Sequence, residues 1–559
     1  MASLSPVLKR IDLDGKPVSY DVAWFNAHPV WGEIKRCLLT RDAPPIFGKN
    51  ARGDGLDLSG AKGDVMVRMP KFYVKVETEG DVIRWWISPF PHEGFEIHPM
   101  FLQRGGAPSD VYVSAYKAGL NVTSDGILKL YSGTGVRPYV GNDVVEFDFV
   151  NGSREFKLGE TVTGKKSGMA GVVQGYFVGE GGWRQLNASG KVYLCKCSTK
   201  VGFKNGVAPF TVGSLATGRL SRASGVIGGV VVESGAWKNG DAAGHLVLCG
   251  GNDQCFNASD VENLLDDGSP PGAAKVATRG TVIADFNNRE EILGSDGREC
   301  CVVASEKGRI ITSDQNVMRE KAGNIGPGCG LMNIWTHRGI KLLFFIEYST
   351  LDSQHALGKG IVEFKSLYAF RHAQALPSGA NNADKNIGEN GSGMGEGENG
   401  KTPVVYRGME NLWGNVYEWV DGIEALDTEY RIIRPDGLGK FRNPMLPGDC
   451  KASKAVPIKG DAVKRYARGH ASAIETKEEF LRLLFIPSQI KGSATFGMCD
   501  CLTGHFANSV GNMAVSGDWT FCANSGINFQ IMSIPYLHDN FNVGCRFEIL
   551  LDRKNPMPQ

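Results

Sequence analysis

The side chains in this chain best suited to chemistry are its thirteen cysteines. A thiolate is both a nucleophile and a soft metal ligand, so paired cysteines come first. Cys195-Lys-Cys197 and Cys499-Asp-Cys501 each put two thiols on one face if they lie on strands, where side chains alternate. Neither pair has the Cys-x-x-Cys spacing of zinc sites or redox motifs, so no zinc is expected. Thirteen is odd, so at least one thiol is unpaired or bonds another chain. The N-terminus, Met-Ala-Ser-Leu-Ser-Pro, has no charged region followed by an apolar run, so no signal peptide is expected and reduced, buried thiols are the default. His98 stands in a loop before Pro99 with no second histidine at ligand spacing, which reads as structural. Asp421-Gly422 and Asp427-Thr-Glu429 are too sparse for a calcium cage. Gly-x-Ser-x-Gly, His-Glu-x-x-His and the Walker phosphate loop are all absent. Neither a metal site nor a cofactor site is expected.

The elements that would hold such residues are mostly strands. Gly supplies 73 of 559 residues, nearly twice its usual share, which points to many turns. The chain carries 61 basic and 60 acidic residues, so no field of one sign draws it to nucleic acid or anionic lipid. Its apolar runs are too short to cross a bilayer, and no membrane insertion is expected. Its length leaves room for two to four domains. Within 404–422, Val416, Glu418 and Val420 alternate with Tyr417 and Trp419, the period of a two-faced strand, and Gly414-Asn415 before it suits a turn. A buried Trp here should find a partner for its N–H. Val65–Glu77 alternates likewise, Val82–Ser88 could pair with it, and Glu79-Gly80-Asp81 marks the hairpin between them. Helices are expected from Ser313, as N-cap, to Ala322, over Ile334–Tyr348, and briefly within Thr476–Ile486. Residues 376–402, rich in Gly, Asn and Glu, read as a long loop.

An internal repeat occupies 151–255, offset by 54 positions. Phe156, Gly159, Thr163-Gly164, Ser167, Gly171-Val172, Trp183, Gly190 and Leu194-Cys195 match Phe210, Gly213, Thr217-Gly218, Ser221, Gly225-Val226, Trp237, Gly244 and Leu248-Cys249. Each unit reads as a small β module. Two units are too few for a solenoid, so a tandem pair inserted into a loop is expected, with 256–299 as the return path.

Asn411-Leu-Trp-Gly-Asn-Val-Tyr-Glu-Trp-Val420 resembles the central motif of the formylglycine-generating-enzyme branch of C-type-lectin folds. The longer phrase from Tyr406 to Gly422 looks like the version carried by phage tail-fibre and receptor-binding proteins. Pro70-Lys-Phe-Tyr73, Trp85-Trp-Ile-Ser-Pro89 and Gly94-Phe-Glu-Ile-His-Pro99 are similar to wording in the same proteins. So are the long helix within 333–354 and the closing hairpin, Ser516-Gly-Asp-Trp519 with Asn542-Val-Gly-Cys-Arg-Phe547, where the family usually reads Gly-Phe-Arg. The resemblance covers roughly 65–140 and 300–551 and leaves out 141–299.

This resemblance implies an α+β fold: a C-type-lectin-like domain interrupted by an all-β insertion with two tandem repeats, after a β-rich N-terminal region. The expected divisions are an attachment or oligomerisation arm at 1–64, the first part of the lectin-like domain at 65–140, inserted β modules at 141–299 (repeats about 156–195 and 210–249), and the rest of the domain at 300–559. Trp413, Gly414, Asn415, Glu418, Trp419, Trp519 and Arg546 would form its structural core. The family's oxidases hold copper with two cysteines about five residues apart near the C-terminus. Here Cys522 could be the first, but position 527 is Ile, so catalysis is not expected. In the phage proteins the segment matching 520–542 displays side chains to a receptor. Its candidates are Asn524, Asn528, Gln530, Ser533, Tyr536, His538, Asp539, Asn540 and Asn542, types that combine rigid amphipathic area with adaptable hydrogen bonds. The resemblance further implies a virion location, a homo-oligomer (a trimer is the expectation), other virion proteins bound through the N-terminal region, and a host surface protein or glycan as ligand. A collar, head or baseplate decoration is the alternative.

Overall fold

The computed structural model describes residues 7–8, 22–40, 43–79, 82–102, 110–135, 138–140, 144–195, 199–212, 214–219, 224–249, 263–267, 272–277, 281–282, 289–304, 309–363, 378–379, 386–426, 429–433, 453–457, 468–475, 479–493, 500–503, 510–518, 522–534 and 542–551. It is mostly β, with 44% strand and 14% helix distributed over many small sheets, and this overturns the α+β expectation. The physical reason is the shortness of the helices. Gln315–Gly323, Ile334–Tyr348 and Glu479–Leu484 hold nine, fifteen and six residues, while Gly-rich turns join strands almost everywhere else. Asp314, rather than Ser313, caps the first of these helices, accepting from the Asn316 and Val317 amides at 2.9 and 3.0 Å.

A six-stranded sheet runs in the order Cys329–Leu331, Phe547–Leu551, Asp110–Ser114, Asp64–Met69, Lys35–Leu39, Ile46–Phe47. It joins both ends of the chain. Lys35–Leu39 pairs antiparallel with Asp64–Met69, and Arg36 Nε donates to the Gly408 carbonyl at 2.7 Å. Phe25 and Trp31 enter the same core as Trp335 and Trp413. From Val22 onward, then, the expected N-terminal arm is an outer layer of the main body. The alternating stretch Val65–Glu77 divides at Pro70, which has no amide N–H to donate to a ladder. Asp64–Met69 stays in the six-stranded sheet, and Tyr73–Glu79 turns into a four-stranded one beside Val82–Ser88.

Tyr417–Leu426 lies within an eight-stranded sheet. It pairs antiparallel with Glu429–Ile433 and Val510–Val515, and parallel with Val543–Cys545. Tyr417 and Trp419 face one apolar cluster with Phe529 and Phe547; Val420 and Ile423 face another with Trp335 and Trp413. Both faces of this strand are therefore covered. The helix Ile334–Tyr348 buries every residue but the last, polar ones included.

Residues 144–311 build two small barrels. The outer barrel uses Val144–Gly152, Thr161–Gly164, Ala170–Glu180 and Ala188–Cys195, then Glu291–Leu293, Glu299–Val303 and Arg309–Ile311. The nested barrel uses Thr199–Ala208, Leu215–Gly218, Ser224–Ser234, Ala242–Cys249, Asn263–Asp266, Ala273–Val276 and Thr281–Val282. The order of strands is the same in both, and in each the first strand also pairs with the fourth, closing the ring. Closure removes the open edges that a small sheet would otherwise expose. The tandem arrangement expected from the repeat is thus corrected to nesting: the second copy enters between the fourth and fifth strands of the first. Residues 256–299 are more than a return path, since they carry the last three strands of one barrel and the fifth of the other. The outer barrel meets the main body through Val144, Tyr193 and Ile311, and Val247 of the nested barrel joins the outer barrel's core.

Candidate ligand-binding site

The motif strand is positioned by its own turn. Gly414 and Asn415 both have positive φ, at 77° and 67°. A Cβ on Gly414 would come within 2.6 Å of the Ile361 carbonyl oxygen, so only glycine fits there. The Asn415 amide donates to that carbonyl at 2.8 Å, and Trp413 Nε1 donates to the Gly358 carbonyl at 3.1 Å. Glu418 points inward. Its Oε1 accepts from Lys117 Nζ at 2.8 Å and Arg546 Nε at 3.0 Å, with all three side chains buried. Lys117 also donates to the Val416 carbonyl at 2.6 Å, and Arg546 donates to the carbonyls of Ser114 and Glu410. Burial pulls the Lys117 ammonium down to about 8, against the opposing pull of Glu418. This buried, hydrogen-bonded group clamps three segments together, so it is scaffold. Trp419 departs from expectation: it is fully buried and its Nε1 has no hydrogen-bond partner.

The cysteines that might suggest copper do not gather. Cys522 is exposed at a short turn, and Ile527 is buried five residues on. Cys545 is buried beside Glu418, and desolvation pushes its thiol far above the usual range, so it packs as a neutral side chain. Cys37, Cys300 and Cys301 are buried thiols, while Cys197 and Cys499 lie outside the described residues. His98 accepts from the Met100 amide at 3.2 Å and packs on Phe72. Burial lowers it to about 3, so it stays neutral. Asp421 is occupied by Arg319, which donates to its two oxygens at 3.0 and 2.8 Å. Among the described residues no three His, Cys, Asp or Glu side chains gather as metal ligands.

The segment 522–534 leaves the surface quickly. Cys522 and Ala523 are exposed and Asn524 is half-buried, but 525–530 are buried. The turn is held from below: Gln354 Nε2 donates to the Cys522 and Ser525 carbonyls, and Ser353 Oγ accepts from the Ile527 amide at 3.0 Å. Asn528 and Gln530 are corrections to the expected receptor face. Asn528 is fully buried, its amide donating to Asp500 Oδ2 at 2.8 Å and its Nδ2 to the Leu351 carbonyl at 2.7 Å. Gln530 lies in the strand Gln530–Ile534 and accepts from Arg338 Nη2 at 2.6 Å. Pairing with Val515 holds Gln530 inward, while Asn528, just before the strand, is held there by Asp500 and Leu351. Asn542 is half-buried and donates to Asp518 Oδ2 at 2.7 Å. Ser533 is placed only as a strand position; Trp519, Tyr536, His538, Asp539 and Asn540 lie outside the described residues.

Sequence reasoning missed the groups that hold this segment. Asp500 is fully buried, and desolvation raises its carboxyl to about 8, so it is mostly protonated at neutral pH. Arg338 and Lys341 come from the long helix and are fully buried. Two cations in a helix that is apolar on nearly every side were a signal available in the sequence. A scan against protein-family models matches none, and a comparison with curated proteins finds none similar to this chain.

Proposed function

We propose that this chain is a non-enzymatic surface protein of a phage particle, of the fibre or receptor-binding class, which attaches the particle to its host. The observation that carries the reading is an exposed turn at 522–524 fixed to a rigid, motif-centred core. Binding residues typically ride on such loops, because a rigid scaffold spares the ordering cost on contact. The phrase Tyr406–Gly422, which resembles that of phage surface proteins, supplies the scaffold, and two of its carboxylates are taken up by ion pairs: Glu418 with Lys117 and Arg546, and Asp421 with Arg319. Of the described candidates, Asn524 and Asn542 stay half-buried near the surface while Asn528 and Gln530 are removed; Tyr536, His538, Asp539 and Asn540 lie outside the described residues and remain candidates. A homotrimer would add avidity to weak individual contacts. The test is binding of the purified protein to intact candidate host cells, with wild type set against a variant carrying Asn524→Ala, Tyr536→Ala and Asn540→Ala. Wild-type binding that the variant loses at unchanged melting temperature supports attachment through this face.

A second reading, decoration of the particle through contacts with other virion proteins, is favoured by one specific observation. The nested barrel carries Val207, Val212, Val231, Val232 and Leu265 exposed. A folded wild-type protein that binds no host cell but binds purified virion components would favour this reading.

A further inference from the structure

Each barrel rests on what lies beneath it through the same face. Tyr193 of the outer barrel packs into an apolar cluster of the main body, and Val247, its match in the repeat, packs into the outer barrel's core. Tyr193 pairs with Gly175 and Val247 with Gly229, each glycine standing just past a bulge in its strand. Two residues on, Phe177 pairs with Lys191 and Val231 with His245. The two strands therefore turn matching positions to the same side. On the outer barrel this face is covered. The hairpin of Gly119–Val122 and Leu128–Tyr131 sets Val122 at Gly175, 2.7 Å from where a Cβ would lie, and sets its turn residue Gly126 against the Phe177 ring. On the nested barrel the cover stops part-way. Val247 is buried, but Val231 and Val232 stay exposed, continuous with the buried junction. The Glu233–His245 pair, 2.7 Å apart, stands at the edge of the open part.

We propose that the open part of this face, Val231 and Val232 with Gly229, docks an apolar β-hairpin of another particle protein. A branched aliphatic side chain of that hairpin seats at Gly229 as Val122 seats at Gly175. The outer barrel is the template: the same bulge, glycine and outward apolar residue take a hairpin there, within this chain. Valine in place of Phe177 leaves a shallower surface, so the partner's turn can lie closer to the strand. An apolar centre with charge only at its edge suits a lasting contact made during assembly, since permanent interfaces are the more hydrophobic ones. That the partner belongs to the particle rests on the decoration reading above; that the face takes a hairpin does not.

The test is titration of the full chain into a fluorescent, backbone-cyclised peptide of residues 118–132, the chain's own covering hairpin. The peptide is cyclised because an isolated hairpin is marginal in water. Saturable binding is expected, weakened about tenfold or more by Val231→Asp in the protein. Val122→Asp in the peptide should weaken it as much, and cannot disturb the protein's fold. The Val231→Asp chain should also lose binding to a purified virion component that the wild-type chain binds and the peptide displaces. A folded wild-type chain with no saturable binding, or equal binding by wild type and Val231→Asp, overturns the docking face. Peptide binding that depends on Val231, with no virion component bound, overturns the particle partner and the decoration reading and upholds the hairpin face.

Discussion

Phe149 stacks on Trp183 in the outer barrel as Phe203 stacks on Trp237 in the nested one, with ring centroids 5.5 and 5.1 Å apart. Phe156 and Phe210 complete the two triads edge-on, each 5.6 Å from its tryptophan. Gly190 and Gly244 correspond as well, since a Cβ on either would collide with a neighbouring strand's carbonyl, of Phe177 or of Val231. Outside, the barrels differ. The hairpin of Gly119–Val122 and Leu128–Tyr131 lies against the outer barrel's Ala170–Glu180 strand: a Cβ on Gly175 would fall 2.7 Å from Val122, and one on Gly126 would fall 2.9 Å from the Phe177 ring. At the position matching Phe177 the nested barrel has Val231, 42% exposed, and its neighbour Val232 is equally exposed. The repeated residues are those that specify the barrel; the residues between them have diverged with what each barrel meets.

Three pairs of measurements, one member in each barrel, follow from this difference. The largest effect should be equal in the two barrels. Phe149→Ala and Phe203→Ala each remove a buried ring from its triad, and each should cost about 3–5 kcal/mol of its own barrel's stability, read by hydrogen exchange. A cost below about 1 kcal/mol for Phe203→Ala would mean that the nested copy does not rely on the same core.

The second effect should be unequal. Phe177→Asp places a charge against the covering hairpin and should destabilise the outer barrel by about 1–3 kcal/mol. Val231→Asp, at the matching open position, should change stability by no more than about 0.5 kcal/mol. Equal losses would show that the nested face is covered in solution, and would point to a partner or a second copy on it.

The smallest effect concerns acid. Burial raises Glu146, but hydrogen bonds from Lys191 and Arg309 outweigh it and hold the carboxyl below its usual value; Arg154 does the same for Glu160. A carboxyl lowered in the folded state contributes stability that is fully present above its unfolded pKa and is lost as pH falls through the folded one. The matching positions in the nested barrel are Lys200 and Ser214. Between about pH 5 and pH 3, protection against hydrogen exchange, taken relative to the intrinsic amide rate, should therefore fall in the outer barrel and stay level in the nested one. A matching loss of protection in both would contradict the assignment.

These contrasts also mark what could be read from the chain beforehand. The 54-residue offset was visible because Gly190, Gly244, Trp183 and Trp237 are fixed by close approach and stacking. The nesting was hidden because the closing strands, such as Asn263–Asp266 and Glu291–Leu293, share no such landmarks and are set by pairing with distant strands. The two faces of Tyr417–Leu426 were legible from alternation alone. The receptor face was not. Asn528 and Gln530 are residue types common on surfaces, and only Asp500, Leu351 and Arg338, remote in sequence, make their burial possible. Arg338 and Lys341 were overlooked because a helix rich in apolar residues suggests a core without charge.

We propose above that the chain attaches a particle to a host through the surface around Asn524. The deciding experiment is the cell-binding assay run on three proteins side by side: the full chain, the Asn524→Ala, Tyr536→Ala, Asn540→Ala variant, and a chain in which a short linker replaces 199–282. The account predicts binding by the first and third and none by the second, with the main body folded in all three. Binding by the variant but not by the chain lacking the nested barrel would contradict it and move the recognition surface to that barrel.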